Sequence, residues 1–191
     1  MFVFKNKYFF IIESTRDIDL KNIKNSNKFS IIYRSKNIAE NIEKLMKFRK
    51  ICKTKNIDFY VSNNVKLINI LKADGIYISA YNNNLKIACL RNSNYKIIGS
   101  AHNIKELEIK KLQGCSSIVF SRLFETSYKY KKGFLGVVKF NLLKLSRREN
   151  LIPLGGIRLS NLNKLNIVQC NSIALSSEIR KKPTVLSKRC F

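Results

Sequence analysis

An α/β fold, a small single-domain (β/α)8 barrel, is what this sequence predicts, and three observations predict it. Eight short β-branched and aromatic runs recur at roughly 20 to 30 residue spacing. Each run is almost continuously apolar, as parallel strands buried on both faces are. Between the runs lie Lys/Leu/Ile-rich stretches with apolar residues three and four apart, so the pattern alternates strand and helix. With 191 residues the barrel is short, since typical ones have about 250. The rival is an open doubly wound sheet with fewer strands. No G-x-G-x-x-G follows the first run and no G-x-x-x-x-G-K-S/T occurs, which weakens that rival as a nucleotide binder.

The strand runs are Tyr8 to Glu13, Phe29 to Tyr33, Asp58 to Val61, Gly75 to Ile78, Tyr95 to Gly99, Ser117 to Phe120, Leu151 to Leu154 and Ser172 to Leu175. Ala39 to Lys53 predicts a helix with Ile42, Leu45, Met46, Arg49 and Cys52 on one side. Ile104 to Leu112 predicts a second, stopped by Gln113-Gly114. Gly133 and Gly136 loosen a loop before a helical stretch from Val137 to Ser146, and Leu159 to Val168 follows a turn. No internal repeat or linker divides the chain. The barrel is expected over 1–180, with its last helix truncated and a short basic tail over 181–191.

Composition narrows the function. A formal charge of +25 comes from 37 Lys+Arg against 12 Asp+Glu. The lysines are spread among Asn and Ile rather than gathered into a basic helix or an aromatic-basic ribbon, so no nucleic acid partner is expected. No stretch reaches the ~18 apolar residues of a membrane span, and the opening MFVFKNKYFFIIES is too short in apolar character for a secretion signal. A cytoplasmic protein with no membrane partner is the expectation. Cys52, Cys89, Cys115, Cys170 and Cys190 are scattered, with a single histidine, and read as buried small apolar residues.

In such a barrel the chemistry gathers where strands end. The polar residues there are Arg34 and Lys36, Ser62 and Asn63, Ser79, Ser100 and His102, Thr126 and Lys129, Gly155 and Gly156, and Ser176 and Ser177. The set reads as a receptor for anions. Glycines at 155 and 156 let a backbone approach a phosphate and point N–H donors at it. Arg34 and Lys36, two apart at a strand end, project to the same side and suit a diphosphate. A solvated surface pair is the plainer reading of those two cations. His102 is either a hydrogen-bonding structural residue or an acid-base group.

In order along the chain, these residues resemble the thiamine phosphate synthase family and its thiazole tautomerase (TenI) relatives. Arg34 and Lys36 match the R and K of Q-x-R-x-K, with Ile32 in place of Q, and Ser62-Asn63-Asn64 aligns with N-D-R. Ala73-Asp74-Gly75-Ile76-Tyr77 resembles A-D-G-V-H, and Ile98-Gly99-Ser100-Ala101-His102 resembles G-x-S-x-H. Phe124-Glu125-Thr126-Ser127-Tyr128-Lys129 is similar to F-x-T-x-T-K, and Leu154-Gly155-Gly156-Ile157 to the phosphate segment x-G-G-I.

The resemblance implies a (β/α)8 barrel that joins a hydroxymethylpyrimidine diphosphate to a thiazole phosphate and releases pyrophosphate. Arg34, Lys36, Asn63, Ser100, Thr126 and Lys129 would bind the diphosphate, while Gly155, Gly156, Ser176 and Ser177 would bind the thiazole phosphate. Lys129, Arg34 and His102 would be the catalytic groups. The family also implies Mg²⁺, whose positions fall on Asn63 and on the loop Ala80-Tyr81-Asn82. Two further readings stand beside synthesis: isomerisation of a thiazole phosphate by His102, and a non-catalytic barrel that holds a phosphorylated metabolite. A homo-oligomer is left open.

Overall fold

The computed structural model of this chain describes residues 5–23, 26–35, 40–126 and 133–176. Eight parallel strands build one sheet: β1 (Lys7–Ile12), β2 (Phe29–Tyr33), β3 (Asp58–Ser62), β4 (Gly75–Ile78), β5 (Lys96–Ala101), β6 (Ser117–Ser121), β7 (Asn150–Leu154) and β8 (Ser172–Leu175). Hydrogen-bonded neighbours run in the order β7-β6-β5-β4-β3-β2-β1-β8, and β7 packs against β8, so the sheet rolls into a nearly closed (β/α)8 barrel. All eight expected runs are strands, shifted at their ends by two residues at most.

The strands separate two apolar cores. Inside the barrel lie Phe9, Ile11, Ile32, Tyr60, Tyr77 and Ile98, with further residues from β6, β7 and β8. Outside, Tyr8, Phe10, Ile12, Phe29, Ile31 and Phe59 join the layer of helices. Alternation along a strand makes this split, because successive side chains leave opposite faces and both faces are buried.

Among the described residues four α-helices cover the barrel: α1 (Ile42–Thr54), α2 (Val65–Leu71), α3 (Ile104–Leu112) and α4 (Gly136–Leu145). Asn41, Asn64 and Asn103 cap the first three, each side-chain oxygen accepting a backbone N–H of the first turn. α3 has the expected bounds and ends before Gly114, whose φ of +85° suits glycine. α1 begins later than expected and turns a different face inward: Leu45, Phe48, Arg49 and Cys52 are buried, whereas Ile42 and Met46 are 47% and 50% exposed. Asp74 selects that face. Arg49 donates to the Asp74 carboxylate at 2.9 Å and to the Lys72 carbonyl, and Asp74 also accepts the Phe59 N–H at 2.7 Å. α1 is thereby tied to β3 and to the entry of β4.

The stretches after β4 and β7 are 3-10 helical, over Leu85–Asn92 and Leu159–Ile167, so the expected α-helix over Leu159 to Val168 is not formed as such. Cys52, Cys115 and Cys170 are buried as expected, but Cys89 is exposed, because it lies on the outer side of the first 3-10 segment. Burial raises the Cys52 and Cys115 thiols to about 12, which keeps them protonated at neutral pH. Cys190, the tail over 181–191 and the truncated last helix lie outside the described residues. Among the described residues, no helix is long and apolar enough to cross a membrane.

Candidate active site

Residues two beyond the interior strand positions form the rim, since the strand period is two. Ile11, Ile32, Tyr60, Tyr77, Ile98, Val119, Leu154 and Ala174 all face inward. The next inward steps are Glu13, Arg34, Ser62, Ser79, Ser100, Ser121, Gly156 and Ser176. One polar or glycine position per strand thus gathers at one end of the barrel.

A cleft of about 1680 Å³ opens over this end. Arg34, His102, Thr126, Gly155, Gly156 and Ser176 all line it, so six of the sequence-derived candidates converge. Lys36, Lys129 and Ser177 lie outside the described residues. Arg34 donates its backbone N–H to the Ile12 carbonyl at 2.8 Å, which seats it at the end of β2. Its guanidinium lies 3.9 Å from the Glu13 carboxylate. The Tyr77 side chain is buried inside the barrel, and burial pushes its phenol up although Ser100 and Arg34 pull the other way. Ser100, one of the rim positions, is buried and does not line the cleft.

Gly155 and Gly156 have φ of +99° and +68°. A Cβ on Gly156 would stand 2.4 Å from the Glu125 carbonyl oxygen and 2.6 Å from Phe124, so glycine lets the two loops touch. Asn161 holds the turn by donating to the Gly156 carbonyl at 2.7 Å and accepting the Arg158 N–H at 2.8 Å. His102 Nδ1 lies 2.6 Å from Ser121 Oγ, and its ring sits 6.2 Å from that of Tyr81. The His102 backbone N–H donates to Glu106, so the start of α3 fixes the imidazole's approach.

Asn63 and Asn82, at the positions that resemble the family's magnesium sites, do meet, but their amides are turned toward the protein. Asn63 Oδ1 accepts the Ser79 backbone N–H at 3.1 Å and Asn82 Nδ2 at 3.0 Å, while its Nδ2 donates to Ser79 Oγ. Asn82 Oδ1 accepts the Asn84 N–H at 3.0 Å. A backbone N–H can only donate, so both amide orientations are determined and both oxygens are engaged. Asn63, Ser79 and Asn82 do not line the cleft. Mg²⁺ is held by hard oxygens, normally carboxylates, and this donor set does not fit it. Among the described residues no three His, Cys, Asp or Glu gather to hold a metal.

The Asn82 segment is held from behind. Lys110 is fully buried, and its ammonium donates to the Asn82 carbonyl at 2.6 Å and to Gln113 Oε1 at 2.8 Å. Gln113 donates in turn to the Asn82 and Asn84 carbonyls. Burial pushes the Lys110 ammonium below its ordinary pKa, against the pull of Cys115 and Glu106.

Sequence reasoning missed Arg122, Ser121, Arg158, Tyr81 and Glu13. Arg122 follows β6 directly and donates to Thr126 Oγ1 at 3.3 Å. The signal for Ser121 and Arg122 is local: Ser121 ends a strand whose interior residue is Val119, and Arg122 opens the same loop that carries Thr126.

The chain is thus an eight-stranded α/β barrel with a glycine-turned, cation-lined cleft at the carboxyl ends of its strands, the end at which barrels of this class carry their active sites. The profile of the thiamine monophosphate synthase family (TMP-TENI) matches residues 19–179, and the chain belongs to that family. No curated protein sequence matches it. Among solved structures, thiamine phosphate pyrophosphorylase from Pyrococcus furiosus superposes with a TM-score of 0.74 at 18% identity, covering 97% of this chain and 95% of that one. A designed cube-shaped porous protein cage gives 0.65 at 11% identity, over 96% of this chain and 72% of that one. A native KDPGal structure gives 0.62 at 12% identity, over 95% and 93%. At these identities the likeness is one of fold.

Proposed function

We propose that this chain is a thiamine phosphate synthase that joins a hydroxymethylpyrimidine diphosphate to a thiazole phosphate in the cytoplasm. The observation that carries the reading is convergence: Arg34 and Thr126, the diphosphate candidates, share one cleft with Gly155 and Gly156, the phosphate candidates. In this reaction the bond between the pyrimidine's methylene carbon and the diphosphate oxygen breaks, and the electron pair leaves with pyrophosphate. The ring nitrogen of the thiazole then donates its lone pair to that carbon. No proton is required, so the protein's work is to orient two anions and to stabilise the charge that develops on the departing one. Arg34, which lines the cleft, is the described cation assigned to that charge. Lys36 and Lys129 are assigned to the same anion from the family resemblance, and Ser176 and Ser177 to the thiazole phosphate.

The test is to incubate the purified full chain with both substrates and follow thiamine phosphate and pyrophosphate. Both should accumulate together, and Arg34→Met should slow the reaction by ~100-fold, the usual effect of removing one donor to a developing oxyanion. Absence of product would defeat the synthase reading. A second reading, isomerisation of a thiazole phosphate, is favoured by the contact of His102 with Ser121 on the same cleft. Proton exchange into that substrate, lost in His102→Ala, would select it. Silence in both assays leaves a barrel that only binds its metabolite.

A further inference from the structure

Two features that the synthase reading leaves unused bear on how the diphosphate is held, and the inference drawn from them rests on that reading and deepens it. We propose that Arg122 is a diphosphate-binding residue that acts with Arg34, and that this pair of guanidiniums takes the place of a divalent cation.

The first feature is the amide cluster of Asn63 and Asn82. Both carbonyl oxygens accept backbone N–H groups, and neither residue lines the cleft, so a hard cation finds no carboxylate there and only amide oxygens already turned to backbone donors. The second is the placement of Arg122. Its stem passes over the glycine turn, where a Cβ on Gly155 would lie 3.1 Å from Arg122 Cβ. Its guanidinium reaches Thr126 Oγ1. Arg122 thus spans the gap between the loop assigned to the diphosphate and the turn assigned to the second phosphate.

Charge in the cleft points the same way. Its described lining includes Arg34, Lys105, Arg122, Lys139 and Arg158 against one acid, Glu106. Glu106 is already committed, with one oxygen accepting the His102 N–H and the other accepting Asn103 Nδ2. Two guanidiniums carry the formal charge of one divalent ion, and their planar forks match phosphate oxygens in pairs. Their charge is permanent, so the site is ready without loading.

The experiment is calorimetric titration of the full chain with inorganic pyrophosphate, in excess EDTA and again in Mg²⁺. Binding should survive EDTA, with a dissociation constant within a factor of about three of that in Mg²⁺. Arg122→Met should weaken it by ~10- to 100-fold, the range expected when a charge-assisted contact is lost. Arg122→Lys should recover part of the loss and keeps the test open should the methionine variant melt early. Binding abolished by EDTA, or unchanged in a folded Arg122→Met, overturns the proposal. The two readings fail separately. Thiamine phosphate formed only with Mg²⁺ leaves the synthase standing and removes the guanidinium pair. Pyrophosphate bound through Arg122 without any turnover does the reverse.

Discussion

Gly156 shows what a single hydrogen does at this site. Its φ of +68° disfavours any side chain, and its missing Cβ is the space through which the Phe124–Glu125 backbone passes. Gly156→Ala should cost about 2–3 kcal/mol, from αL strain together with displacement of that backbone. Gly133 also has a positive φ, of +85°, but nothing lies within 4 Å of its would-be Cβ. Gly133→Ala should therefore cost only about 1 kcal/mol. Melting curves of both variants separate strain from collision, and equal losses would refute the collision account. Lys110 is the second residue with a definite expectation. Lys110→Met keeps the stem but removes both donations, to Asn82 and to Gln113, and should lower stability by about 1–3 kcal/mol. Hydrogen exchange at the Asn84 amide should rise in the variant, because the loop loses its strut; unchanged exchange would argue against that role. The glycine turn and Arg34 were legible in the sequence because few residue types do what they do. Lys110 was not, since a lysine on a helix in so basic a chain reads as solvated, and only its burial distinguishes it.

At the scale of elements, β1, β3 and β5 begin with Lys7, Asp58 and Lys96, which meet at the amino end of the barrel. Lys7 hydrogen-bonds to Asp58, and Lys96 lies 3.5 Å from the same oxygen. Burial pushes the Asp58 carboxyl up, but the two ammonium groups outweigh it and hold it below its ordinary value of 3.8. A depressed folded pKa contributes stability above the unfolded value, and that contribution is lost as pH falls through the folded value. Asp58→Asn should therefore lower the melting temperature at neutral pH and flatten its decline between about pH 4 and pH 2. Parallel acid-side melts of the two proteins would contradict this. Strands were read well because period two and β-branching act locally. The register of α1 was read less well. Ile42 and Met46 fit an apolar stripe, yet the salt bridge of Arg49 to Asp74, a contact across 25 positions, turns Phe48 inward in their place. The segments after β4 and β7 have apolar spacing too, but a 3-10 path suffices to bridge adjacent strands in so short a chain.

For the molecule as a whole, a formal charge of +25 on 191 residues makes self-repulsion a global term that no single ion pair offsets. Raising NaCl from about 20 to about 300 mM should increase the melting temperature by several degrees, since the Debye length falls below typical charge separations. Pyrophosphate at low millimolar concentration should raise it further by binding the folded state alone, and a null shift in NaCl would show that the charges are already neutralised locally. Barrel closure itself was legible from eight evenly spaced runs, whereas the depth of the cleft depends on how loops fold over the rim, which no periodicity encodes. The apolar filling of the barrel, from Phe9 to Ile98, lies between the two ends of every strand. It acts as an insulating plug. That filling separates the lower pole, with Lys7, Asp58 and Lys96, from the cleft, so thermostabilising mutagenesis aimed there should leave ligand binding at the opposite mouth unchanged.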